Sequence, residues 1–135
     1  MQKRKKIAFV CVGNSCRSQM AEGFAKTLGG DVLDVYSAGT HPSSGVNETA
    51  IAVMKEKGID ISAHKPKLLD DIPSVMNILI SMGCGVVCPF LPNQHQEDWG
   101  LEDPVGQPIE VFRQTRDIIE VKVKELIEKV RAGKL

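Results

Sequence analysis

The sequence predicts an α/β fold: a single domain, residues 1–135, built on a parallel sheet with helices packed against it. First, 135 residues is the length of one ordinary domain. Second, apolar strand-like runs alternate along the chain with segments of helical periodicity. Third, Ile7–Val12 is an unbroken apolar run, which is typical of a parallel strand covered on both faces. The 42% apolar and 25% charged content is that of a globular protein, which excludes a disordered or fibrous chain.

The first half of the chain carries the signals of one further strand and three helices. Arg17–Leu28 has apolar residues at helical spacing and is ended by a pair of glycines. Val32–Tyr36 reads as a short second strand. Asn47 caps a helix that Gly58 ends, and Pro66–Asp71 is predicted to form a short helix.

The second half of the chain predicts two strands and one long helix. Val75–Met82 is the third strand, and its centre is apolar. Gly83–Pro108 is long and irregular, as functional segments in small domains usually are, and includes a short fourth strand near Asp98–Leu101. Ile109–Val130 is an amphipathic helix. Ligands of such folds bind at the carboxyl edge of the sheet, so the residues that follow each strand are the functional candidates.

Charge and hydropathy narrow the function classes. Lys+Arg and Asp+Glu both count 17, so the chain lacks the broad basic surface of a nucleic-acid-binding protein. No apolar run approaches the roughly 20 residues that span a bilayer. The basic start is followed by only six apolar residues and no cleavage site, which argues against a signal peptide. We expect a cytoplasmic protein, and a monomer without a cofactor. In a reducing compartment such as the cytoplasm, cysteines are more often catalytic or metal-binding than structural.

The turn from Cys11 to Ser18, between the first strand and the first helix, has the features of an oxyanion cradle. Gly13 and Asn14 tolerate positive φ, which lets consecutive backbone N–H groups point toward one spot. The start of the helix adds free N–H groups and a partial positive charge. Arg17 adds a planar fork that suits two oxygens of a tetrahedral anion. The predicted oxyanion-binding residues are Val12, Gly13, Asn14, Ser15, Cys16, Arg17 and Ser18.

Cys11 lies at the base of this cradle. The helix start and Arg17 favour its thiolate form, and Ser18 can donate a hydrogen bond to the sulfur. The sequence thus predicts a nucleophile directed at a bound oxyanion. The alternative is that Cys11 is a buried strand-end cysteine and Arg17 a surface helix residue, but the strand–turn–helix context favours the functional interpretation.

The motif Cys11-Val-Gly-Asn-Ser-Cys-Arg17-Ser18, followed by Gln-Met-Ala-Glu-Gly, resembles the phosphate-binding loop of the low-molecular-weight protein tyrosine phosphatase superfamily. More narrowly, it resembles the thioredoxin-coupled arsenate reductases built on that fold. Ser37–Thr40 and Asp103-Pro104 occur in the expected order, so the resemblance covers nearly the whole chain. It implies a four-stranded parallel sheet flanked by helices in a flavodoxin-like three-layer arrangement, with arsenate as the substrate.

The resemblance also implies roles for individual residues. Cys11 attacks arsenate while Asp103 protonates the departing oxygen. Cys84 then attacks Cys11 and releases arsenite, and Cys88 attacks Cys84 to leave a disulfide that thioredoxin reduces. From the residues alone, Asp-Pro is also a common turn pair, and Glu102 and Asp98 are alternative acids.

Several alternatives stay open for Cys84 and Cys88. Only three residues separate them, fewer than is usual in the arsenate reductases. They could bind zinc together with His95, although a fourth ligand is not evident. They could form a redox switch on a true tyrosine phosphatase, or the cradle could serve a phosphate-responsive binding protein without turnover. Few aromatic residues, and Val105 where such phosphatases carry a tyrosine, favour a small inorganic ion over a phosphotyrosine side chain.

Residues around the cradle are predicted to support it. Asn14 is expected to hold the loop, by a hydrogen bond to Ser37. In some relatives an Asn/Glu/Ser group holds a monovalent cation, which makes Asn14, Glu22 and Ser37 candidate ligands, and a solvated Glu22 is the alternative. Cys16 is interpreted as typical of the family and not essential.

Overall fold

A computed structural model describes residues 4–83 and 91–135. The strands are β1 (Lys5–Cys11), β2 (Leu33–Gly39), β3 (Ile78–Ser81) and β4 (His95–Asp98). The helices are α1 (Arg17–Gly29), α2 (Glu48–Lys55) and α3 (Ile109–Arg131), with one turn of 3-10 helix at Leu69–Asp71. Cys84 and Cys88 lie outside the described residues.

The four strands form one parallel sheet in the order β2-β1-β3-β4. The chain moves outward from β1 in one direction to β2 and then returns to build β3 and β4 on the other side. The strand order therefore reverses beside β1. The carboxyl end of β1 is the place where this fold class binds ligands. Cys11, the last residue of β1, pairs with Gly39 at the end of β2. The predicted four-stranded α/β fold is confirmed.

The two faces of β1 belong to different clusters of the core. Ile7 and Phe9 are fully buried in the larger cluster, which the apolar faces of α1, α2 and α3 complete. Ala8 and Val10 face the opposite side and pack with Met76 and other residues that flank the 3-10 turn. Among the described residues, this second face packs against the 3-10 turn and the chain that flanks it. The predicted Pro66–Asp71 helix is therefore shorter than expected, since only the three residues of that turn are helical.

Two strands differ from their predicted bounds. The third strand begins at Ile78, since Val75 is 60% exposed and outside the ladder. The fourth strand lies at His95–Asp98 and precedes the predicted Asp98–Leu101 segment. Trp99 packs its ring 5.7 Å from that of Phe9 and is buried, but it does so from the loop after the strand. Burial in a loop therefore explains the apolar residues that suggested a strand.

A cluster of charged residues joins α2 to α3. Arg113 donates to both carboxylate oxygens of Glu56, and Arg116 donates to Glu56 Oε1 at 2.6 Å and to the carbonyl of Val53 at 2.9 Å. These hydrogen bonds, from Arg113 first and Arg116 second, lower the pKa of Glu56 to about 2. The cluster thereby fixes the end of α2 against the long helix.

No helix in residues 4–83 and 91–135 combines the length and apolar character needed to cross a membrane.

Candidate active site

The thiol of Cys11 faces a cleft at the carboxyl edge of the sheet. Asn14 N donates to Cys11 Sγ at 3.1 Å, and Ser18 Oγ lies 3.0 Å from the same sulfur. Cys11 is only 4% exposed, yet it lines a cleft of about 320 Å³. The other lining residues are Val12, Gly13, Asn14, Ser15, Cys16, Arg17, Ser43, Asp103 and Val105. The geometry therefore does not support Cys11 as a packing residue turned into the core.

The cradle points its backbone N–H groups into the cleft because its carbonyls are held on the other side. The segment after β2 supplies three backbone donors to them: His41 N to Val12 O at 2.9 Å, Ser43 N to Gly13 O at 2.9 Å, and Asn47 N to Ser15 O at 2.7 Å. In a trans peptide the N–H points opposite to the C=O, so the next N–H in each case is directed inward. An anion at the centre thus meets the N–H groups of Gly13 and Cys16, while that of Asn14 is directed at Cys11 Sγ.

The sequence did not single out this supporting segment, although a signal was present. The segment follows the carboxyl end of β2 and so reaches the same edge of the sheet as Cys11. Ser43 also lines the cleft. Gly39 permits the close approach, since a Cβ at this position would collide with the carbonyl oxygens of Val12 and Cys11.

Asn14 alone provides the left-handed backbone of the cradle. Its φ is 49°, whereas Gly13, which was also expected to use positive φ, does not. A Cβ on Gly13 would instead lie 3.1 Å from Ser43 Oγ. Gly13 is thus a position of close approach, and Asn14 makes the turn.

Backbone carbonyls from two other loops hold Arg17 in place. Its Nη1 donates to Met82 O at 2.5 Å and to Leu101 O at 2.8 Å, and the residue is 9% exposed. Because Nη1 is committed to these carbonyls, Nη2 and Nε are the donors left for an oxyanion. Nη2 lies 3.9 Å from Asp103 Oδ2, so the carboxylate and the guanidinium share one end of the cleft.

Asp103 is the carboxylate that the geometry favours as a proton donor. It lines the cleft, its side chain is 54% exposed, and Oδ1 accepts from Val105 N at 3.1 Å. Asp98 has another role, since its Oδ1 accepts from Ser81 Oγ at 2.9 Å and from Gly83 N at 2.8 Å. Neither Asp98 nor Glu102 lines the cleft.

Cys16 is a poor nucleophile in this environment. Burial, with a further contribution from Asp103, raises the pKa of the Cys16 thiol to about 12. At neutral pH the thiol therefore stays protonated. That Cys16 is not essential stays a prediction.

Asn14 and Ser37 do not form the hydrogen bond expected between them. Asn14 Nδ2 donates to Ser18 Oγ at 2.9 Å, and Asn14 Oδ1 accepts from Lys67 N at 2.9 Å. The Ser37 hydroxyl donates to Glu22 Oε1 in a short hydrogen bond. Asn14 still supports the loop, but through Ser18 and Lys67.

The surroundings of Glu22 do not fit a monovalent cation. The residue is 2% exposed, and its carboxylate lies 2.6 Å from Lys26 Nζ and 3.7 Å from Lys67 Nζ. Burial raises the pKa of Glu22, but hydrogen bonds from Lys26 and Ser37 outweigh it, so the pKa lies below its ordinary value. Two ammonium groups already balance this carboxylate and would repel a further cation. Glu22 is therefore neither a cation ligand nor a solvated side chain.

The predicted resolving thiols, Cys84 and Cys88, fall outside the described residues, so their roles stay predictions. His95, the suggested third zinc ligand, bonds through Nε2 to Glu97 Oε2 at 2.7 Å. Within residues 4–83 and 91–135, no group of three or more His, Cys, Asp or Glu side chains is placed to hold a metal ion.

Comparison with known proteins places this geometry in a family. Residues 6–134 match the family described as low molecular weight phosphotyrosine protein phosphatase. A protein of Synechocystis sp. named glutaredoxin arsenate reductase is 48% identical over 130 residues, 93% of this chain and 98% of that protein. An arsenate reductase of Staphylococcus aureus (strain Newman) is 46% identical over 125 residues, 90% of this chain and 95% of that protein.

Solved structures agree with the sequence relatives. A structure described as an arsenate reductase in the phosphate binding state superposes with a TM-score of 0.84 at 47% identity, covering 93% of this chain and 98% of that one. A thioredoxin-dependent arsenate reductase of Corynebacterium glutamicum gives a TM-score of 0.79 at 29% identity, covering 97% of this chain and 64% of the other. The extent of the family match and the identity to full-length relatives settle the assignment: the chain belongs to the low molecular weight phosphotyrosine protein phosphatase family.

Proposed function

We propose that this protein reduces arsenate to arsenite, with Cys11 as the nucleophile. The observation that carries the proposal is the convergence on one cleft of the Cys11 sulfur, inward backbone N–H groups, the Arg17 fork and the Asp103 carboxyl group. Relatives named arsenate reductase share 46–48% of their residues with this chain over nine-tenths of its length.

In the proposed first step, the Cys11 thiolate attacks arsenic and forms a sulfur–arsenic bond. One arsenate oxygen departs as water after protonation, in which Asp103 is the acid. The N–H groups and Arg17 stabilise the negative charge on the remaining oxygens. Arsenic is still pentavalent in this adduct, so reduction requires a second thiol.

In the second step, Cys84 attacks Cys11 Sγ and forms a disulfide. The electron pair of the sulfur–arsenic bond stays on arsenic, which leaves as trivalent arsenite. Cys88 then attacks Cys84, frees Cys11 and leaves a Cys84–Cys88 disulfide. A reduced dithiol protein supplies the two electrons that restore both thiols, which requires a reducing compartment such as the cytoplasm.

The shape of the cleft favours a small inorganic substrate. Among the described residues that line it, none is aromatic, so nothing there stacks on the ring of a phosphotyrosine. Val105, after the Asp103-Pro104 turn, is 48% exposed and contributes only a small aliphatic wall. Weak phosphatase activity would be compatible with the proposal, because the first attack on a tetrahedral oxyanion is shared.

For the electron donor we propose thioredoxin or a similar small dithiol protein. The Corynebacterium neighbour is described as thioredoxin-dependent, whereas the Synechocystis relative is named for glutaredoxin. Measuring arsenite formation by the purified protein with thioredoxin and its reductase, and separately with glutaredoxin and glutathione, distinguishes the two. We expect turnover with thioredoxin, from a protein that elutes as a monomer.

The relay is tested by mass mapping of disulfides after reduced protein meets arsenate. Cys88→Ser should stop after one turnover with a Cys11–Cys84 disulfide, whereas Cys16→Ser, the matched control, should continue to cycle. A Cys88→Ser variant that cycles at the parent rate would disprove the relay. Turnover of an aryl phosphate without any arsenite formation would instead identify a phosphatase.

A further inference from the structure

Gln19, in the first turn of α1, is fully buried beneath the cradle, and the proposed chemistry does not use it. We infer that Gln19 is a positioning residue: it holds Asn14 in the one conformation that directs two hydrogen-bond donors at Cys11 Sγ. The inference rests on the proposed role of Cys11 as the nucleophile and assigns a further residue to that reaction.

The orientation of the Gln19 amide follows from its neighbours. Nε2 lies 3.0 Å from Asn14 O, 3.2 Å from Lys65 O and 3.2 Å from Asn14 Oδ1. Two of these three are backbone carbonyls, which can only accept, so this end of the side chain must be the NH₂ group. Oε1 consequently faces His64 Nδ1 at 3.1 Å, and that ring nitrogen carries the proton.

The orientation of the Asn14 amide is fixed in the same way. The backbone N–H of Lys67 can only donate, and it lies 2.9 Å from one side-chain atom of Asn14, which must be Oδ1. The two N–H groups of the Gln19 amide are shared among this oxygen, the main-chain oxygen of Asn14 and the carbonyl of Lys65. One buried side chain thus restrains both the backbone and the side chain of a residue whose φ is 49°.

This orientation determines which way the Ser18 hydroxyl points. Asn14 Nδ2 donates to Ser18 Oγ at 2.9 Å, so the single hydroxyl proton of Ser18 remains for Cys11 Sγ at 3.0 Å. The backbone N–H of Asn14 is the second donor to the sulfur, at 3.1 Å. Both donors stabilise a thiolate more than a thiol, and both depend on the conformation of Asn14.

Substitution of Gln19 by methionine separates this role from electrostatics. The charged and titratable groups that line the cleft together with Cys11 are Arg17, Asp103 and Cys16. On the other side, His64 contacts Gln19 directly, and Glu22 lies 3.6 Å from His64 with Lys26 and Lys67 around it. Gln19→Met changes no charged residue and keeps a side chain of similar length, so a change in Cys11 ionisation comes from the lost hydrogen bonds, which include the one to His64.

The test measures the rate of Cys11 alkylation by iodoacetamide against pH, with the modified cysteine identified by mass mapping. For Gln19→Met, we expect the midpoint of the profile to rise by about one pH unit, or roughly tenfold less thiolate below the midpoint, as expected when charge-assisted hydrogen bonds weaken. The matched control is Gln114→Met at an exposed position of α3, which should keep the parent midpoint.

Two further variants make the result decisive. In a Ser18→Ala background, Gln19→Met should shift the midpoint less than in the parent, because one of the two donors it orients is already absent. Gln19→Asn keeps an amide but is one methylene too short to span Asn14 and Lys65, and it should reproduce the shift if the methionine variant does not fold.

Each negative outcome has a separate meaning. A folded Gln19 variant whose midpoint matches the parent would overturn the positioning role and leave the proposed function intact. A parent protein in which Cys11 is no more reactive than Cys16 at neutral pH would instead refute Cys11 as the nucleophile, and with it the proposed function.

Discussion

Arg17→Lys keeps the positive charge of the cleft and removes the planar fork. In the structure, Nη1 is engaged by Met82 O and Leu101 O, while Nε and Nη2 remain for two substrate oxygens. A lysine ammonium has no rigid second arm, so at least one charge-assisted hydrogen bond to the transition state is lost. Such a bond is worth about 1.5–3 kcal/mol. This corresponds to a fall in kcat/KM of roughly 10- to 150-fold.

The assay is the initial rate of arsenite formation across arsenate concentrations, with the donor in excess. A lower kcat and a higher KM are expected together, because in the proposed mechanism the same guanidinium binds arsenate and stabilises the first attack. Protection of Cys11 from alkylation by phosphate should weaken in parallel. The matched control is Arg113→Lys, which alters an exposed ion pair with Glu56 far from the cleft. An Arg17→Lys enzyme within twofold of the parent kcat/KM would refute the two-point role of the fork.

Three other predictions follow from the described contacts. Asp103→Asn should lower the rate of arsenite formation by about 10²- to 10⁴-fold, the usual contribution of a general acid, whereas Glu102→Gln outside the cleft should not. Cys16→Ser should stay close to the parent rate in the same assay, since the Cys16 thiol, with its pKa of about 12, is protonated at neutral pH. Glu56→Gln should lower the urea midpoint at pH 7, and this difference from the parent should disappear near pH 2. The reason is that the pKa of Glu56 falls from 4.5 to about 2 on folding. The stabilisation is therefore present above pH 4.5 and is lost as the pH drops through 2.

The position of Cys11 in a cleft-lining cradle could be predicted from sequence because the signals are local. An apolar strand, a glycine and asparagine turn, and a helix that starts at Arg17 lie within about a dozen consecutive residues. Residues 11–17 line the cleft as expected, whereas Ser18, which was also predicted to bind the oxyanion, is fully buried and contacts Cys11 Sγ instead. Strand order and the edge of the sheet then follow from the general rules of parallel α/β folds.

One partner of Asn14 could not be predicted, because it comes from a distant position, whereas Ser18 and Gln19 are local. The amide of Lys67 reaches Asn14 across 53 residues of sequence. Likewise, one of the two ammonium groups on Glu22, that of Lys67, comes from the loop before the 3-10 turn, whereas Lys26 lies only four residues further along α1. Local pattern shows that a polar residue is present, but only the folded chain shows which group satisfies it.

The position of β4 was missed for a different reason. His95–Asp98 is polar and alternates between half-buried and exposed residues, as an edge strand does, so it lacks the apolar run that identifies a central strand. The adjacent Trp99 and Leu101 are strongly apolar, so the sequence predicted the strand at their position. Both side chains are buried, but they belong to the loop that follows the strand.

The backbone that leads to Cys84 is tied to the rest of the protein just before that residue. Arg17 donates a hydrogen bond to the carbonyl of Met82, and Asp98 accepts one from the backbone N–H of Gly83. Both hydrogen bonds hold the backbone on the N-terminal side of Cys84. Sequence changes after that residue need not alter the residues that line the cleft. A different spacing of Cys84 and Cys88, the two predicted resolving thiols, would therefore leave the contacts of the Arg17 guanidinium unchanged.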